Sequence, residues 1–588
     1  MRSPQRMRRH LVVTAAAASL VLMVSACTGV PSSSAPETIK PIPFGGDVQG
    51  QAITPAPGAQ PSELVKAFLQ ANGTEPGTHT SARTFLTPDA RRRWTDTTAT
   101  IVSGLTIGTF KPGKPVVVVA GRVVGTLNAA GIYTPSLQRT GQGGDPAGFE
   151  YHVTKVGGQY RIDGLGKGLL LTVDQFDTYK PHPLYFYDLA DRYLVPDVRW
   201  SQLESSQLEQ WLVTQLAAGP RPDLQNAVNP DTLPTQASVR RISVTGDAPT
   251  KVEIPGAAQL NSPARNQLAS QIGHTLYGVG PSSVLSITDG GTPVTIPSAA
   301  SVQFTASGAS DAGPPPPARD VYYLRSGRIY AENGIELSGA VNRSSYSLNS
   351  IALTRLGRSG GLSVAAVTGT GDEARLLVGS QLGGLTPVTK PLPSSGALTR
   401  PAWAPGAGEV WVGRGSNLYR VIVTGKAPHV LPIAIPTSAG GGRIVSLRLS
   451  PEGSRVAMVI SAANGKGQLF VGSVVRTAGQ VRIDTLQPVS PVGVVVQDVA
   501  WIEASTLFAI GYDATNHDPE VFETNVDGSA WSGRGIGSLQ DAPDSVTVAA
   551  GQLAWVSAGG FIWAQRGTDW VSPGAASQTS GTAPIYLE

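Results

Sequence analysis

Five stretches of this chain repeat one pattern of apolar strand, Pro/Gly/Glu turn and second apolar strand: SIALTRLGRSGGLSVAAV from 350, RPAWAPGAGEVWVG from 400, SLRLSPEGSRVAMV from 446, DVAWIEASTLFAIG from 498 and VTVAAGQLAWVSAG from 546. The matching positions Leu353, Trp403, Leu449, Trp501 and Val548 are 50, 46, 52 and 47 residues apart. That period suits a propeller blade of four strands. A lone blade cannot bury both faces, so the repeats must close into a ring. Tyr322, Tyr323, Ile329 and Tyr330 have no partner upstream, and Ile585, Tyr586 and Leu587 form a short strand near residue 588. Joining the two in one shared blade removes both edges, giving five or six blades. Trp403 and Trp501 are expected to pack between blades, whereas Trp531 and Trp570 fall outside the register and are expected at the surface.

Upstream of the repeats, Gly308 to Ala318 reads GASDAGPPPPA. Four consecutive prolines favour a stiff polyproline rod and exclude helix and central strand, so the stretch is expected to separate two folding units. The 69 Gly, 46 Pro and only 15% charged residues favour β-rich domains over helical arrays.

The only cysteine, Cys27, bears on compartment. Residues 1 to 10 are cationic, and the uncharged run Leu11 to Ala26 is 16 residues long. That is short of the ~20 needed to span a bilayer and reads as a secretory signal over 1–26. It ends in Val24-Ser25-Ala26-Cys27, which resembles the lipobox of bacterial lipoproteins. The resemblance implies cleavage between Ala26 and Cys27 and acylation of the Cys27 thiol, placing the protein on the cell membrane, lipid-anchored, at its extracytoplasmic face. A lone acylated cysteine excludes disulfides, Cys-ligated metal and a cysteine nucleophile. Residues 27–46 (CTGVPSSSAPETIKPIPFGG) read as a flexible tether.

The formal charge of +4 is accounted for by Arg2, Arg6, Arg8 and Arg9, and the rest of the chain is neutral. With only 11 lysines, no nucleic-acid partner is expected.

Residues 47–182 begin with helical patterns. Ser62 is a candidate cap for a helix with the stripe Leu64, Val65, Phe68 and Leu69, stopped at Asn72-Gly73, and Thr87-Pro88 opens a second through Arg91 to Trp94. Val116 to Val119 reads as a buried strand. Phe149, Tyr151 and Val153 alternate with polar neighbours, turn at Gly157-Gly158 and return through Tyr160 and Ile162. Two helices before a curved antiparallel sheet resemble the NTF2-like cone. Arg91-Arg92-Arg93 reads as a solvated helix face, with a lipid-headgroup contact as the alternative.

In residues 183–307, Leu184 to Tyr187 opens a strand, Ser206 to Glu209 reads as a capping box, and Leu208, Trp211, Leu212 and Leu216 form the buried stripe of its helix. Val239, Ile242 and Val244 mark one strand, Val252 and Ile254 another. Ser262-Pro263 caps a helix carrying Leu268, Ile272 and Leu276, and strands Val284 to Ile287 and Val294 to Ile296 flank a turn at Asp289-Gly290-Gly291. This succession resembles the GerMN domain, which implies contact rather than catalysis. The expected fold is therefore multidomain and mainly β: two α+β domains, NTF2-like and GerMN-like, followed by a five- or six-bladed β-propeller over 319–588.

Catalytic patterns are sparse. No HExxH occurs, and His10, His79, His152, His182, His274, His429 and His517 are scattered. The Gly308 to Ala312 string falls short of a nucleophile elbow and lies in the Pro-rich stretch. Gly369 to Ala374 nominally fits a dinucleotide fingerprint, but a hairpin turn among strands is favoured. Asp513, His517, Asp518 and Glu520 read as a solvated loop, with an oxygen-ligated cation as the alternative. No catalytic residue, cofactor or metal is assigned.

With lipobox, GerMN-like strings and repeats in this order, the chain resembles the actinobacterial lipoprotein LpqB family. The resemblance implies a protein that modulates the MtrA/MtrB two-component pathway by binding the extracytoplasmic domain of the sensor histidine kinase MtrB, affecting division and envelope homeostasis. The residues alone leave two alternatives open: a binder of cell-wall polymer (peptidoglycan or polysaccharide) with Trp531 or Trp570 on a concave face, or a propeller hydrolase. The last needs carboxylates or histidines converging on the channel, whereas the inner strands are written with Val, Ala, Leu and Trp.

Overall fold

The computed structural model describes residues 53 to 588 except 137–145, 231–232, 235–242, 246–249, 280–283, 297–301, 304–319, 357–360, 574–577 and a few shorter gaps of one or two residues. The signal, lipobox and tether, the Pro-rich stretch 308–318, and Val239 and Ile242 lie outside the described residues.

The amino-terminal module builds on the predicted stripe. Helix Pro61–Asn72 buries Leu64, Val65, Phe68 and Leu69. Its cap is Gln60 rather than Ser62: Gln60 and Glu63 form a reciprocal capping box, while Ser62 Oγ turns out to the Gly108 carbonyl at 3.0 Å. Thr87 caps Pro88–Arg93 as expected, its oxygen accepting from the Ala90 amide. The six-stranded sheet runs in the order 159–164, 146–156, 116–127, 99–107, 169–172, with 133–135 added to 116–127. It is not wholly antiparallel, because Ala99–Ile107 pairs parallel with Leu169–Thr172. Val116 to Val119 is half-buried: Val117 and Val119 enter the core and Val118 is 45% exposed, as a sheet with one covered face requires.

The middle module has two sheets. Lys180–Asp188 pairs with Leu194–Ser201 and Val228–Asn229, and Thr250–Glu253 lies parallel to Val284–Asp289 across the crossover helix Ser262–Leu276. Caps again fall beside the expected residues. Ser205–Ala218 starts after Glu204 without a side-chain cap, and Asn261, not Ser262, caps the second helix by accepting from the Ala264 amide. Val294 continues its strand by one bond to the Ile287 carbonyl, beyond the short ladder Thr292–Pro293.

The repeats form five antiparallel sheets of at least four strands, beginning at Leu348, Ala402, Arg443, Val494 and Pro543. A sixth sheet joins Thr582–Tyr586 to Val321–Arg325, with Arg328–Ala331 outside. The first strand of each sheet packs on the first strand of the next, and Thr582–Tyr586 packs on both Leu348–Thr354 and Pro543–Thr547. This is a six-bladed ring closed by the proposed shared blade, so neither terminal strand leaves an edge.

The modules on either side of the Pro-rich stretch are not separate bodies. A single apolar cluster runs from the amino-terminal module, including Phe68, Tyr133 and Phe176, through Trp200 into the blades at Val459, Val471, Val499 and Phe522. The body from Gly50 onward is one compact unit rather than two, because apolar side chains on helices and strands of the first module and on strands of the third and fourth blades share one core out of water.

Candidate functional site

Two polar clusters organise the described residues, the second of them sealed from water. The first lies about the propeller axis, where Arg400, Arg448, Asp498, Asp544 and Glu588 come together from the first strands of the blades and the residues flanking them; Arg448 and Asp498 are buried, Asp544 and Glu588 exposed. This corrects the expectation of an axis lined by Val, Ala, Leu and Trp alone. Those apolar residues point between blades, and alternation turns their neighbours toward the axis. Asp498 accepts from Ser446 Oγ at 2.5 Å and from the Val546 amide at 2.9 Å, bridging the third, fourth and fifth blades, with Arg448 Nη2 3.6 Å away. Arg400 donates to the Pro584 carbonyl at 3.1 Å. Glu588 accepts the Trp403 amide at 2.6 Å and ties the closing blade to the second. Crowding by protein pushes the Glu588 carboxyl up to about 7, against the pull of Arg448 and Arg400. Asp544 is held by Ser557 Oγ. Each carboxylate is thus a brace between strands.

Tryptophans add a second kind of brace. Trp403 Nε1 donates to the Ala352 carbonyl and Trp501 Nε1 to the Arg448 carbonyl, both at 3.1 Å. The acceptors sit one residue before Leu353 and Leu449, so one geometry recurs in two blades. Both indoles are buried, as expected.

The second cluster is where the three modules meet. Arg199 and Asp197, two residues apart on one strand, form a bidentate pair at 2.9 and 2.8 Å with both side chains sealed from water. Arg199 also donates to the carbonyls of Ala130 in the first module and Gly219 in the second, at 3.1 and 3.2 Å. Asp197 accepts the Arg221 amide at 2.8 Å. From the propeller, Arg455 donates to the Pro196 carbonyl and pairs with Glu452, Thr485 Oγ1 donates to the Asp223 carbonyl, and Asn226 reaches Asp484 at 2.7 Å. Burial pushes Glu452 above and Arg455 below their ordinary ranges, each opposed by the other's charge. Trp200 Nε1 donates to Asp527 Oδ2 at 3.0 Å. Gly131, at φ +71°, lets the first module close: a Cβ there would lie 2.7 Å from the Trp200 carbonyl and from the Trp211 ring.

Neither cluster was read from the sequence, yet both left a trace. The residue three before the repeat register is polar in each of the five repeats: Ser350, Arg400, Ser446, Asp498 and Ser545. The apolar strand LVPDVRWS carries an acid and a base on one face, and such a pair is buried in a strand covered on both sides.

Other expected residues fall differently. Trp570 is buried in the fourth-to-fifth blade core, and Trp531 is half-buried on Phe522 at 5.2 Å, so they form no exposed aromatic face. This follows from the apolar gap between blades, which accepts any large ring near it. The Asp513 carboxylate accepts the amides of Thr515 and Asn516, and Asn516 donates to Asp518, so the loop satisfies its own acids. Among the described residues no group of three or more His, Cys, Asp or Glu is arranged to hold a metal. Gly369 to Ala374 is a turn with one short helical coil, Gly371–Glu373. Arg91, Arg92 and Arg93 are exposed, but Arg91 donates to the Arg83 carbonyl, Arg92 pairs with Asp89 and Arg93 reaches the Asp163 carbonyl.

Comparison with known proteins places both ends of this body. Residues 54–177 match the model for the lipoprotein LpqB N-terminal domain, and residues 328–586 match that for the lipoprotein LpqB beta-propeller domain. Lipoprotein LpqB of Rhodococcus opacus (strain B4) is 28% identical over 513 residues, covering 81% of each chain. That of Mycobacterium leprae (strain TN) is 28% identical over 549 residues, covering 89% of each. That of Corynebacterium jeikeium (strain K411) is 29% identical over 536 residues, covering 86% of this chain and 85% of its own. The two family models do not overlap, together take in more than half of the chain and bracket the junction just described: the chain belongs to the LpqB lipoprotein family.

Proposed function

We propose that this protein is an extracytoplasmic accessory, lipid-anchored to the cell membrane through Cys27, that modulates a two-component system of the MtrA/MtrB type by contacting the sensor kinase's extracytoplasmic domain. The observation that carries the reading is the sealed Asp197–Arg199 pair, tied to the first and second modules, with the propeller's Arg455 bonded to the neighbouring Pro196 carbonyl. A body braced in this way offers one composite surface in a fixed pose, which suits recognition of another folded protein. Two surface cavities among the described residues, of about 80 and 190 Å³, are small beside the ~300 Å³ or more of ordinary small-molecule sites. Family membership and the relatives' naming as lipoproteins support the anchored part.

Tethering sets the affinity such a contact needs. A short arm holds the body at an effective concentration near the millimolar range, so a micromolar contact, about −8 kcal/mol, saturates a partner in the same membrane. The test is kinase autophosphorylation in vesicles carrying the kinase and either the lipidated protein or its Cys27→Ser form at equal bulk concentration. The lipidated protein is expected to change the rate more. Equal effects remove the tether from the mechanism, and no effect from either removes the kinase as partner.

A further inference from the structure

The end of the amino-terminal module where the chain enters the folded body is basic and partly apolar. Gly58, five residues after the first described residue, donates its amide to Gln159 Oε1 at 3.0 Å, beside the hairpin turn Gly157-Gly158. That hairpin carries exposed Lys155 and Val156, the latter 46% exposed. Lys155 Nζ lies 5.0 Å over the Tyr160 ring, which packs edge-on to Phe110 at 5.9 Å. Phe110 leads into the turn of Lys111 and Lys114, which face each other as a bridge pair and are both exposed. Three of the chain's 11 lysines therefore meet at one end, around two half-buried rings. Glu63 of the same end is folded back onto the Gln60 amide at 3.1 Å. Glu150 lies six residues behind Val156, about 20 Å along the strand. Arg91 to Arg93 sit toward the Asp163 end of the returning strand, away from this turn.

We propose that this end, formed by Lys111, Lys114, Lys155, Val156 and the Phe110–Tyr160 pair, docks on an anionic lipid surface and sets the pose of the whole body. The inference rests on membrane attachment through Cys27. About 25 residues separate Cys27 from Ile53, reaching roughly 80 Å when extended, so the tether alone leaves orientation free. Each lysine at an anionic leaflet favours the docked pose by about fivefold, and the three together by about a hundredfold. Rings with a polar edge suit the headgroup layer, where Tyr is enriched. Because the three modules are braced together, docking one end fixes the height and facing of the propeller.

The test supplies the anchor chemically. The chain from Cys27 onward, which contains the whole compact unit, is coupled through its only thiol to a maleimide-bearing lipid in vesicles of phosphatidylcholine, with or without phosphatidylglycerol. Lysine acetylation is then followed residue by residue by mass spectrometry. Lys111, Lys114 and Lys155 are expected to react at least about fivefold more slowly on the anionic vesicles, with the difference lost in high salt, while exposed Lys251 and Lys466 keep their rates. Equal rates on both vesicles, or equal protection at Lys251 and Lys466, overturn the proposal. Protection that appears only when kinase is present assigns this end to protein contact and overturns it as well. Natural acylation is judged separately, by fatty-acid labelling of the native protein, so the two readings fail independently.

Discussion

The indole of Trp200 donates a 3.0 Å hydrogen bond to Asp527 Oδ2 across 327 residues of sequence, and both residues are buried. The other oxygen of Asp527 is occupied by the amide and hydroxyl of Ser529, so the indole is the partner of Oδ2. The ring lies tilted against Phe176, 5.0 Å away, which stacks in turn on Tyr133 at 5.3 Å.

Trp200→Phe keeps most of the packing and leaves Asp527 Oδ2 without its donor. Stability is expected to fall by about 1–3 kcal/mol, the cost of an unsatisfied buried acceptor. Urea unfolding followed by circular dichroism measures it. An unchanged midpoint would show that the bond contributes nothing.

Breaking the sealed ion pair costs more. Arg199→Met leaves Asp197 charged and buried, and is expected to lose about 3–5 kcal/mol, whereas Asp197→Leu combined with Arg199→Met should be less damaging than either change alone. Additive losses in a double-mutant cycle would contradict the coupling.

Cleavage at a protease site introduced between residues 313 and 318 should not release two free pieces. The apolar cluster shared by Phe176, Trp200 and Phe522 is expected to hold the fragments together through gel filtration without denaturant. Separate elution would show that this shared core is not enough to hold the modules.

Removing residues 582–588 exposes the edge of Val321–Arg325 and deletes the Glu588 brace. The ring is expected to lose cooperative unfolding and to aggregate through the open edge. A sharp, unshifted thermal transition would argue against closure through this strand.

Glu588 also gives a pH signature. Its folded value, raised to about 7 from an ordinary 4.5, means that the folded state holds its proton more tightly than the unfolded state. Its contribution is therefore most favourable below about 4.5 and is lost as pH rises toward 7. Relative to Glu588→Gln, the parent protein should lose stability across that window. Parallel stability curves would show the carboxyl to be well solvated.

The repeat period, the helix stripes and the alternation of Tyr151 and Val153 were legible in the sequence because each depends on contacts within one element or between neighbours in the chain. Ring closure through Tyr322 and Ile585 was legible too, since unpaired strands at both ends of a repeat array have one way to lose their edges. Two caps were misjudged by a residue or two because Gln60 and Asn261 compete locally with the Ser residues near them, and orientation decides. The joining of the modules was settled only in three dimensions. Arg199 beside Asp197 hints at a buried pair, but nothing local distinguishes Asp527 from a surface acid, and the burial of both acids depends on Arg221 reaching Asp197 and Trp200 reaching Asp527 from other elements to offset the desolvation. The same holds for the axis: polar residues three before the register are visible in every repeat, but only closing the ring brings Arg400, Asp498 and Glu588 within reach of one another.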